Sequence, residues 1–226
     1  ADEKQNVYGK ALDGQRLPRV SGFRGNWNKI KGNHRMTAGG YHLAVAFQQN
    51  FMREKYNLDE QIQGDIFSIM EKREYRLIDK FDPEAVFSAV REFIRSGKPI
   101  SPNDICIPAF SNKDVREIDK CFREHFGNKS TQTVCETVEI YNKLRKRLDV
   151  DEKDIQSIEK KKRENELEKE LCKIRHLKRN SFNMNSGTVK ISTIHSFKGW
   201  EINTIVLVIN ESEQEITPEI IYTAIT

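Results

Sequence analysis

Apolar side chains recur at helical spacing in the middle of the chain, at Val86, Phe87, Val90, Phe93 and Ile94. On a helix of 3.6 residues per turn these positions form a single stripe. An Asp-Pro pair at 82–83 precedes the stripe and a Ser-Gly pair at 96–97 follows it, as is typical of helix starts and ends. The pattern therefore predicts an amphipathic helix between the two pairs. A comparable stripe predicts a helix over residues 41–51.

Five short segments that are apolar, or that alternate apolar and polar residues, predict β-strands at residues 75–78, 104–110, 131–135, 189–192 and 205–209. The last of these is a nearly continuous run of β-branched residues and leucine, which is typical of a strand buried on both faces of a parallel sheet. A further helix is predicted over residues 112–125. Because strands and helices alternate, the predicted fold class is α/β, with a parallel sheet flanked by helices.

Residues 136–180 interrupt this alternation with two helical stripes separated by a polar turn. The second and less regular stripe consists of Ile155, Ile158, Leu167, Leu171, Ile174 and Leu177. The pattern predicts a helical hairpin inserted into the α/β domain. Its outer face interleaves lysine and arginine with glutamate at helical spacing, which favours a self-paired surface over a nucleic-acid interface. Only residues 173–179 are basic without neighbouring acids, and they are the better candidate for phosphate contacts.

Composition excludes several classes of protein. The 226 residues are 37% hydrophobic and 32% charged, and the net charge is +4. No window approaches the roughly 18 consecutive apolar residues of a membrane-spanning helix, and residues 1–10 lack the basic-then-apolar order of a secretory signal. We therefore expect a cytoplasmic protein with no membrane partner. The mild basic charge permits a polyanionic partner without requiring one.

The cysteines are Cys106, Cys121, Cys135 and Cys172, and no two of them form a Cys-x-x-Cys pair. Buried free thiols are therefore expected rather than a disulfide framework or a zinc site. The five histidines show no metal-ligand spacing either, and no metal site is predicted.

Residues 188–201, TVKISTIHSFKGWE, join two predicted strands through a polar loop. The loop carries Thr193, His195, Ser196, Lys198, Gly199 and Glu201. A cationic side chain beside a glycine with an exposed backbone N–H, at the end of a parallel strand, suits an anion. The carboxylate of Glu201 suits a ribose hydroxyl. The loop is therefore a candidate nucleotide-binding element.

The segment STIHSFKGWE resembles motif V of the UvrD, Rep and PcrA branch of superfamily 1 helicases, T-x-H-x-x-K-G-x-E followed by a strand. Residues 2–9, DEKQNVYG, resemble motif III of that family, and residues 30–47 resemble motif IV. Residues 219–226, EIIYTAIT, resemble motif VI up to the residue before its arginine. The DE-x-Q of residues 2–5 is also similar to motif II. The Val-Tyr-Gly that follows, and Arg35 downstream, favour motif III.

The resemblance implies a RecA-like fold and a set of site residues. It implies catalytic roles for Gln5 and Arg35, ATP contacts for Lys198, Gly199 and Glu201, and contacts to a single strand for Tyr8, Thr193 and His195. Taken singly, Arg35 is equally well explained as a surface residue at a helix start, and His195 as a hydrogen-bonded loop histidine. The sequence also departs from the family pattern, with Ala1 in place of a glycine and Lys10 in place of an aromatic residue.

The chain lacks a phosphate-binding P-loop. Residues 127–131, GNKST, lack the required glycine spacing and read better as a helix end and turn, and SGKPI at 96–100 has a proline in place of the hydroxyl residue. ATP and Mg²⁺ are therefore expected to need a first RecA-like domain that completes the cleft. Alone, this chain is expected not to hydrolyse ATP.

Three regions are predicted: a tail of the first RecA-like domain at 1–28, a second RecA-like domain at 29–135 and 186–226, and a helical insertion at 136–185. The implied function is part of an ATP-dependent DNA helicase or translocase that binds single-stranded nucleic acid. The alternative is a degenerate nucleic-acid-binding or protein-docking module without motor activity. A fused nuclease and the choice between DNA and RNA stay open.

Overall fold

The computed structural model of the chain describes residues 38–56, 74–96, 99–151, 157–210 and 216–226. The described residues belong to two compact units. One contains the described residues up to Arg76 together with 216–226, and the other contains residues 77–210. The predicted division at 28, 135 and 185 stays a prediction.

The larger unit is built on a sheet of four strands that are all parallel. The strands are β1 (Ile105–Ala109), β2 (Thr131–Thr133), β3 (Val189–Thr193) and β4 (Thr204–Ile205). Their order in the sheet is β2-β3-β1-β4, and the central pair aligns Ile107 with Ile191. The predicted α/β class with a parallel sheet flanked by helices is confirmed, and the arrangement is consistent with a RecA-like fold.

The described helices are α1 (Ala38–Phe51), α2 (Pro83–Arg95), α3 (Asn112–Phe126), α4 (Val138–Arg147), α5 (Ser157–Asn180), α6 (Ile194–Phe197) and α7 (Pro218–Ile225). Among them, none is both long and apolar enough to cross a membrane. Side-chain caps determine where several begin. Asp82 accepts a hydrogen bond from the amide of Glu84 at the start of α2, and Ser111 accepts one from Asp114 at the start of α3. These caps satisfy amides that have no partner within the helix.

The core of the larger unit lies between the sheet and the pair α2 and α3. Ile107 and Ile191 face it from the two central strands, and Val90 and Ile118 face it from the helices. All four side chains are fully buried. The amphipathic stripe predicted for α2 is therefore the surface that packs on α3 and the sheet, and its burial removes apolar area from water at about 25 cal/mol per Å².

Two predicted strands differ from the structure. Residues 75–78 form no strand, and Leu77 is fully exposed. The run at 205–209 is not buried on both faces, since it pairs only through β4 and a single bridge from Val208 to Ala109 at the edge of the sheet. Ile205 and Ile209 are accordingly exposed. An apolar run alone does not distinguish a central strand from an edge strand.

The two predicted helices of the insertion are present as α4 and α5. They pack through a small cluster of Leu144, Val150, Leu167 and Leu171. Elsewhere in the described part of the predicted second stripe, Ile174 is partly buried against this cluster, whereas Ile158 and Leu177 are 82% and 67% exposed. Residues 127–131 form the predicted helix end and turn, with Gly127 capping α3 at a φ of +90°.

The smaller unit places α7, the segment similar to motif VI, against α1. Ala44, Met52 and Tyr222 form its buried apolar cluster. Glu219 bonds Lys55 and accepts a hydrogen bond of 2.8 Å from the hydroxyl of Tyr56. Burial alone would raise the pKa of Glu219, but these two donors outweigh it and lower the pKa to about 2.

Candidate functional site

The candidate loop lies at the carboxyl edge of the sheet, directly after the central strand β3. The connection from β1 to β2 crosses β3, and the connection from β3 to β4 crosses β1. The two connections therefore run in opposite directions across the sheet. Because parallel crossovers are right-handed, connections in opposite directions are expected on opposite faces, which makes the carboxyl ends of β1 and β3 a topological switch point. Ligands of open α/β sheets bind at such a position.

Buried apolar residues fix the loop to the sheet. Ile194 and Phe197 are buried at the two ends of the short helix α6, on either side of the half-buried His195 and Ser196. Thr193 is buried as well, and its hydroxyl oxygen accepts a hydrogen bond of 3.3 Å from the amide of Ser196 and donates one of 3.0 Å to the Ser196 hydroxyl. The predicted strand contact of Thr193 stays a prediction. The structure adds that Thr193 caps α6. This cap orients His195, which lies between Thr193 and Ser196.

The polar residues of the loop point away from this anchor. His195 is half-buried, whereas Lys198, Gly199 and Glu201 are exposed. Gly199 has a φ of +89°, the left-handed region that favours glycine. A Cβ built at Gly199 meets no atom within 4 Å. The glycine is therefore required by backbone conformation, and the open space on this side leaves room for a ligand to approach.

Trp200 extends this surface, although the sequence did not single it out. Its ring packs edge-on against Phe182, with centroids 5.9 Å apart. Phe182 lies two residues after the end of α5, and Gln132, in the middle of β2, holds the same segment by bonding the backbone of Ser181 and Asn183. The end of the inserted helix is thus joined to the loop. Trp200 keeps 44% of its surface exposed, which is unusual for an aromatic side chain of that size.

Two partly buried hydrogen bonds also lie at the carboxyl edge. The side-chain amide of Asn210 donates to the carboxylate of Asp114 over 3.0 Å, which connects the segment after β4 to the first turn of α3. The thiol of Cys135, after β2, donates to the side-chain oxygen of Asn112 over 3.0 Å. These bonds hold the ends of β1, β2 and β4 in fixed positions around the loop.

A buried lysine lies at the opposite edge of the sheet and does not belong to this site. Lys190 is fully buried near the start of β3, and its ammonium donates to the backbone and side-chain oxygens of Asn103 at 2.6 and 2.8 Å. Burial lowers the pKa of Lys190. The alternation of Lys190 with Val189 and Ile191 predicts a strand but does not predict that the lysine side chain is buried. Lysine is rarely fully buried unless it has partners such as these oxygens.

The basic face of α5 is paired with acids, as predicted. Arg163 bonds Glu159 and Lys173 bonds Glu170, at 3.0 and 2.7 Å. The prediction that residues 173–179 lack acidic partners is wrong, since Arg175 lies 2.7 Å from Glu136. Lys173 and Arg175 are therefore both paired with acids, and the phosphate-contact interpretation of the remaining basic residues in this segment stays a prediction.

Five of the eight predicted site residues lie within the described part of the chain, and β3 and the loop bring them together: Thr193, His195, Lys198, Gly199 and Glu201. The other three, Gln5, Tyr8 and Arg35, lie outside the described residues. Comparisons with protein-family models, with curated proteins and with solved structures found no match.

Proposed function

We propose that the chain forms the second RecA-like domain of an ATP-dependent helicase or translocase and acts on single-stranded nucleic acid, with DNA as the expected substrate. The observation that carries the proposal is the loop of residues 193–201, whose T-x-H-x-x-K-G-x-E pattern lies at the carboxyl edge of a parallel sheet, after a central strand. That is where a motor domain needs one element to touch both nucleotide and strand. A cytoplasmic location belongs to this proposal.

In the proposed mechanism this loop couples two ligands. Gly199 and Glu201 contact the phosphate and ribose of ATP, with Lys198 placing the loop near the nucleotide, while His195 faces the strand. Gln5 senses the γ-phosphate, and Arg35 neutralises the charge that builds on the phosphoryl oxygens during transfer. Mg²⁺ and the phosphate cradle are supplied by the first RecA-like domain. Tyr8 offers a ring on which a base can stack.

The structure supports this division of roles through exposure and anchoring. Residues 194 and 197 are buried and hold the loop, whereas residues 198–201 are exposed. The contact between Trp200 and Phe182 links the loop to the insertion. A change in the loop is therefore able to reach the inserted helices, as expected for a motor whose parts move during each cycle.

Strand-stimulated ATP hydrolysis by the intact parent protein tests the proposal. Arg35→Ala and His195→Ala should each reduce the stimulated rate, by at least about tenfold for Arg35→Ala since arginines in this role contribute 10³ or more. His42→Ala, an exposed histidine on α1, is the control and should leave the rate unchanged. Wild-type stimulation in both test variants would overturn the assignment of the motif residues. Nucleic-acid binding by a parent protein with no stimulated hydrolysis would instead favour the non-motor module.

A further inference from the structure

Helices α2 and α3 bring together three side chains that the proposed motor does not use. Cys121 and His125 lie one turn apart on α3 and face the first turn of α2, where Glu84 lies. The thiol of Cys121 lies 3.4 Å from Oε1 of Glu84, and Nε2 of His125 lies 2.9 Å from Oε2. The sulfur, the imidazole nitrogen and a carboxylate oxygen all lie within 4.8 Å of one another.

We propose that Glu84, Cys121 and His125 bind a divalent ion of the zinc type. A thiolate, an imidazole and a carboxylate are three of the ligands that Zn²⁺ prefers, and sulfur disfavours Mg²⁺ and Ca²⁺. A tetrahedral ion at about 2.0–2.3 Å from each ligand needs ligand atoms about 3.3–3.6 Å apart. The side chains already lie near this spacing, so small rotamer changes complete the site. A fourth position stays open to water or another ligand.

The surroundings of the three side chains hold them in place. The imidazole of His125 stacks on Phe87, with ring centroids 4.2 Å apart and planes 14° from parallel. Cys121 is buried, and Glu84 lies in the first turn of a helix capped by Asp82. The side chains of His125 and Glu84 are 43% and 58% exposed, so an ion can reach them from solvent, and the stacking on Phe87 reduces the freedom that His125 loses on binding.

The carboxylate of Glu84 contacts both the thiol of Cys121 and the imidazole of His125, so an anionic group lies beside the two other ligands. Without a metal, His125 and Cys121 bond Glu84 through protons. A dication takes the place of those protons and releases them to solvent, as zinc sites generally do.

The sequence concealed this site because its ligands come from two helices. Cys121-x-x-x-His125 is spaced for one face of a helix, but the third ligand lies 37 positions earlier. The signal that could have found it is this i, i+4 pair within a predicted amphipathic helix. Cys172 serves as an internal comparison, since it is exposed on α5 and its thiol lies 3.6 Å from a single carboxylate, that of Glu168.

Titration of the chain with Co²⁺, followed by competition with Zn²⁺, tests the proposal by absorption spectroscopy. We expect a thiolate-to-cobalt charge-transfer band that saturates at one ion per chain and that Zn²⁺ abolishes. Cys121→Ser should remove the band, Cys172→Ser should retain it, and Glu84→Gln and His125→Ala should weaken binding at least about tenfold. Circular dichroism identifies any variant that fails to fold. If Cys121→Ser or His125→Ala does so, Glu84→Gln still tests the site, because glutamine has nearly the same size as glutamate.

Two results would overturn the proposal. One is no thiolate band in the wild-type chain, which would leave His125 and Glu84 as a surface ion pair. The other is a band that survives Cys121→Ser and disappears in Cys172→Ser, which would place the ion on α5. Neither result bears on the motif residues of the proposed motor, since none of the three ligands belongs to residues 193–201.

Discussion

The side-chain amide of Gln48 donates a hydrogen bond to the hydroxyl of Tyr222 over 2.9 Å, although the two residues are 174 positions apart. Both side chains are buried. Gln48 follows directly after the segment similar to motif IV on α1, and Tyr222 lies in the segment similar to motif VI on α7. Ala44, within the first segment, shares a buried cluster with Tyr222. Two segments identified separately in the sequence are therefore in direct contact within the smaller unit.

Tyr222→Phe should loosen α7 from α1 by about 1–2 kcal/mol, because it removes a buried hydrogen bond while keeping the aromatic ring. Hydrogen exchange followed by mass spectrometry should show faster exchange in peptides covering residues 38–51 and 218–226. Tyr75→Phe is the matched control, since Tyr75 is 80% exposed and its hydroxyl is accessible to water. Equal exchange in the two variants would mean that the bond contributes nothing to the packing.

Caps and amphipathic stripes account for most of what could be predicted from the sequence. Asp82 and Ser111 begin α2 and α3 as local side-chain rules require, because a cap acts within three residues of itself. The loop at 193–201 was also placed correctly at the end of a parallel strand. Its polar residues are contiguous in the sequence, and residues that are adjacent in the sequence remain adjacent in the folded chain.

Features that depend on distant residues could not be predicted in this way. Whether residues 205–209 are buried depends on their position in the sheet. The sequence pattern of one segment does not predict the order of the strands. The packing of Trp200 on Phe182 and the pairing of Arg175 with Glu136 likewise depend on where the inserted helices return. The pairing of Arg175, within the basic segment 173–179, escapes local prediction for this reason, since its carboxylate partner precedes α4.

Glu136→Gln should destabilise the larger unit by about 3–5 kcal/mol, as breaking a buried ion pair generally does. Glu136 is fully buried between two arginines, with Arg116 at 2.5 Å and Arg175 at 2.7 Å. Burial alone would raise the pKa of Glu136, but the hydrogen bonds from Arg175 outweigh it and lower the pKa. Loss of the carboxylate leaves both guanidinium groups without their shared anion.

Urea unfolding followed by circular dichroism measures this change. Glu168→Gln is the control, because Glu168 also bonds Arg175, at 2.6 Å, but is 58% exposed. Its cost should be about 0–1 kcal/mol, typical of a surface pair. Equal losses in the free energy of unfolding would show that burial does not strengthen the ion pairs of Glu136. Those pairs would then contribute little to the attachment of α5.

Acid should weaken the smaller unit through Glu219. Its pKa falls from 4.5 to about 2 on folding. A lowered folded-state pKa stabilises the fold above the unfolded value, and this contribution declines as the pH falls from about 4.5 towards 2. Protection factors of peptides in 38–56, which correct for the slower intrinsic exchange in acid, should therefore fall over that range more in the wild type than in Glu219→Gln, which has no carboxylate to protonate.

Glu54→Gln, at an exposed position of the same unit, should keep the wild-type dependence on pH. A wild-type profile in Glu219→Gln would show that the acid sensitivity arises from other carboxylates. In that case the contacts of Glu219 with Lys55 and Tyr56 contribute little to stability, despite their short distances.

Gly199→Ala should separate the effect of the loop on function from its effect on stability. Gly199 and Gly187 have φ angles of +89° and +77°, and a Cβ at either position meets no atom within 4 Å. Each alanine should therefore cost about 1–2 kcal/mol of backbone strain, without steric clashes. Urea unfolding should show similar losses for both variants.

Only Gly199 lies in the candidate loop, because Gly187 precedes β3 at the opposite edge of the sheet. In the parent protein, Gly199→Ala should reduce strand-stimulated ATP hydrolysis while Gly187→Ala does not. An equal reduction in both would trace the loss of activity to stability and remove Gly199 from the nucleotide site.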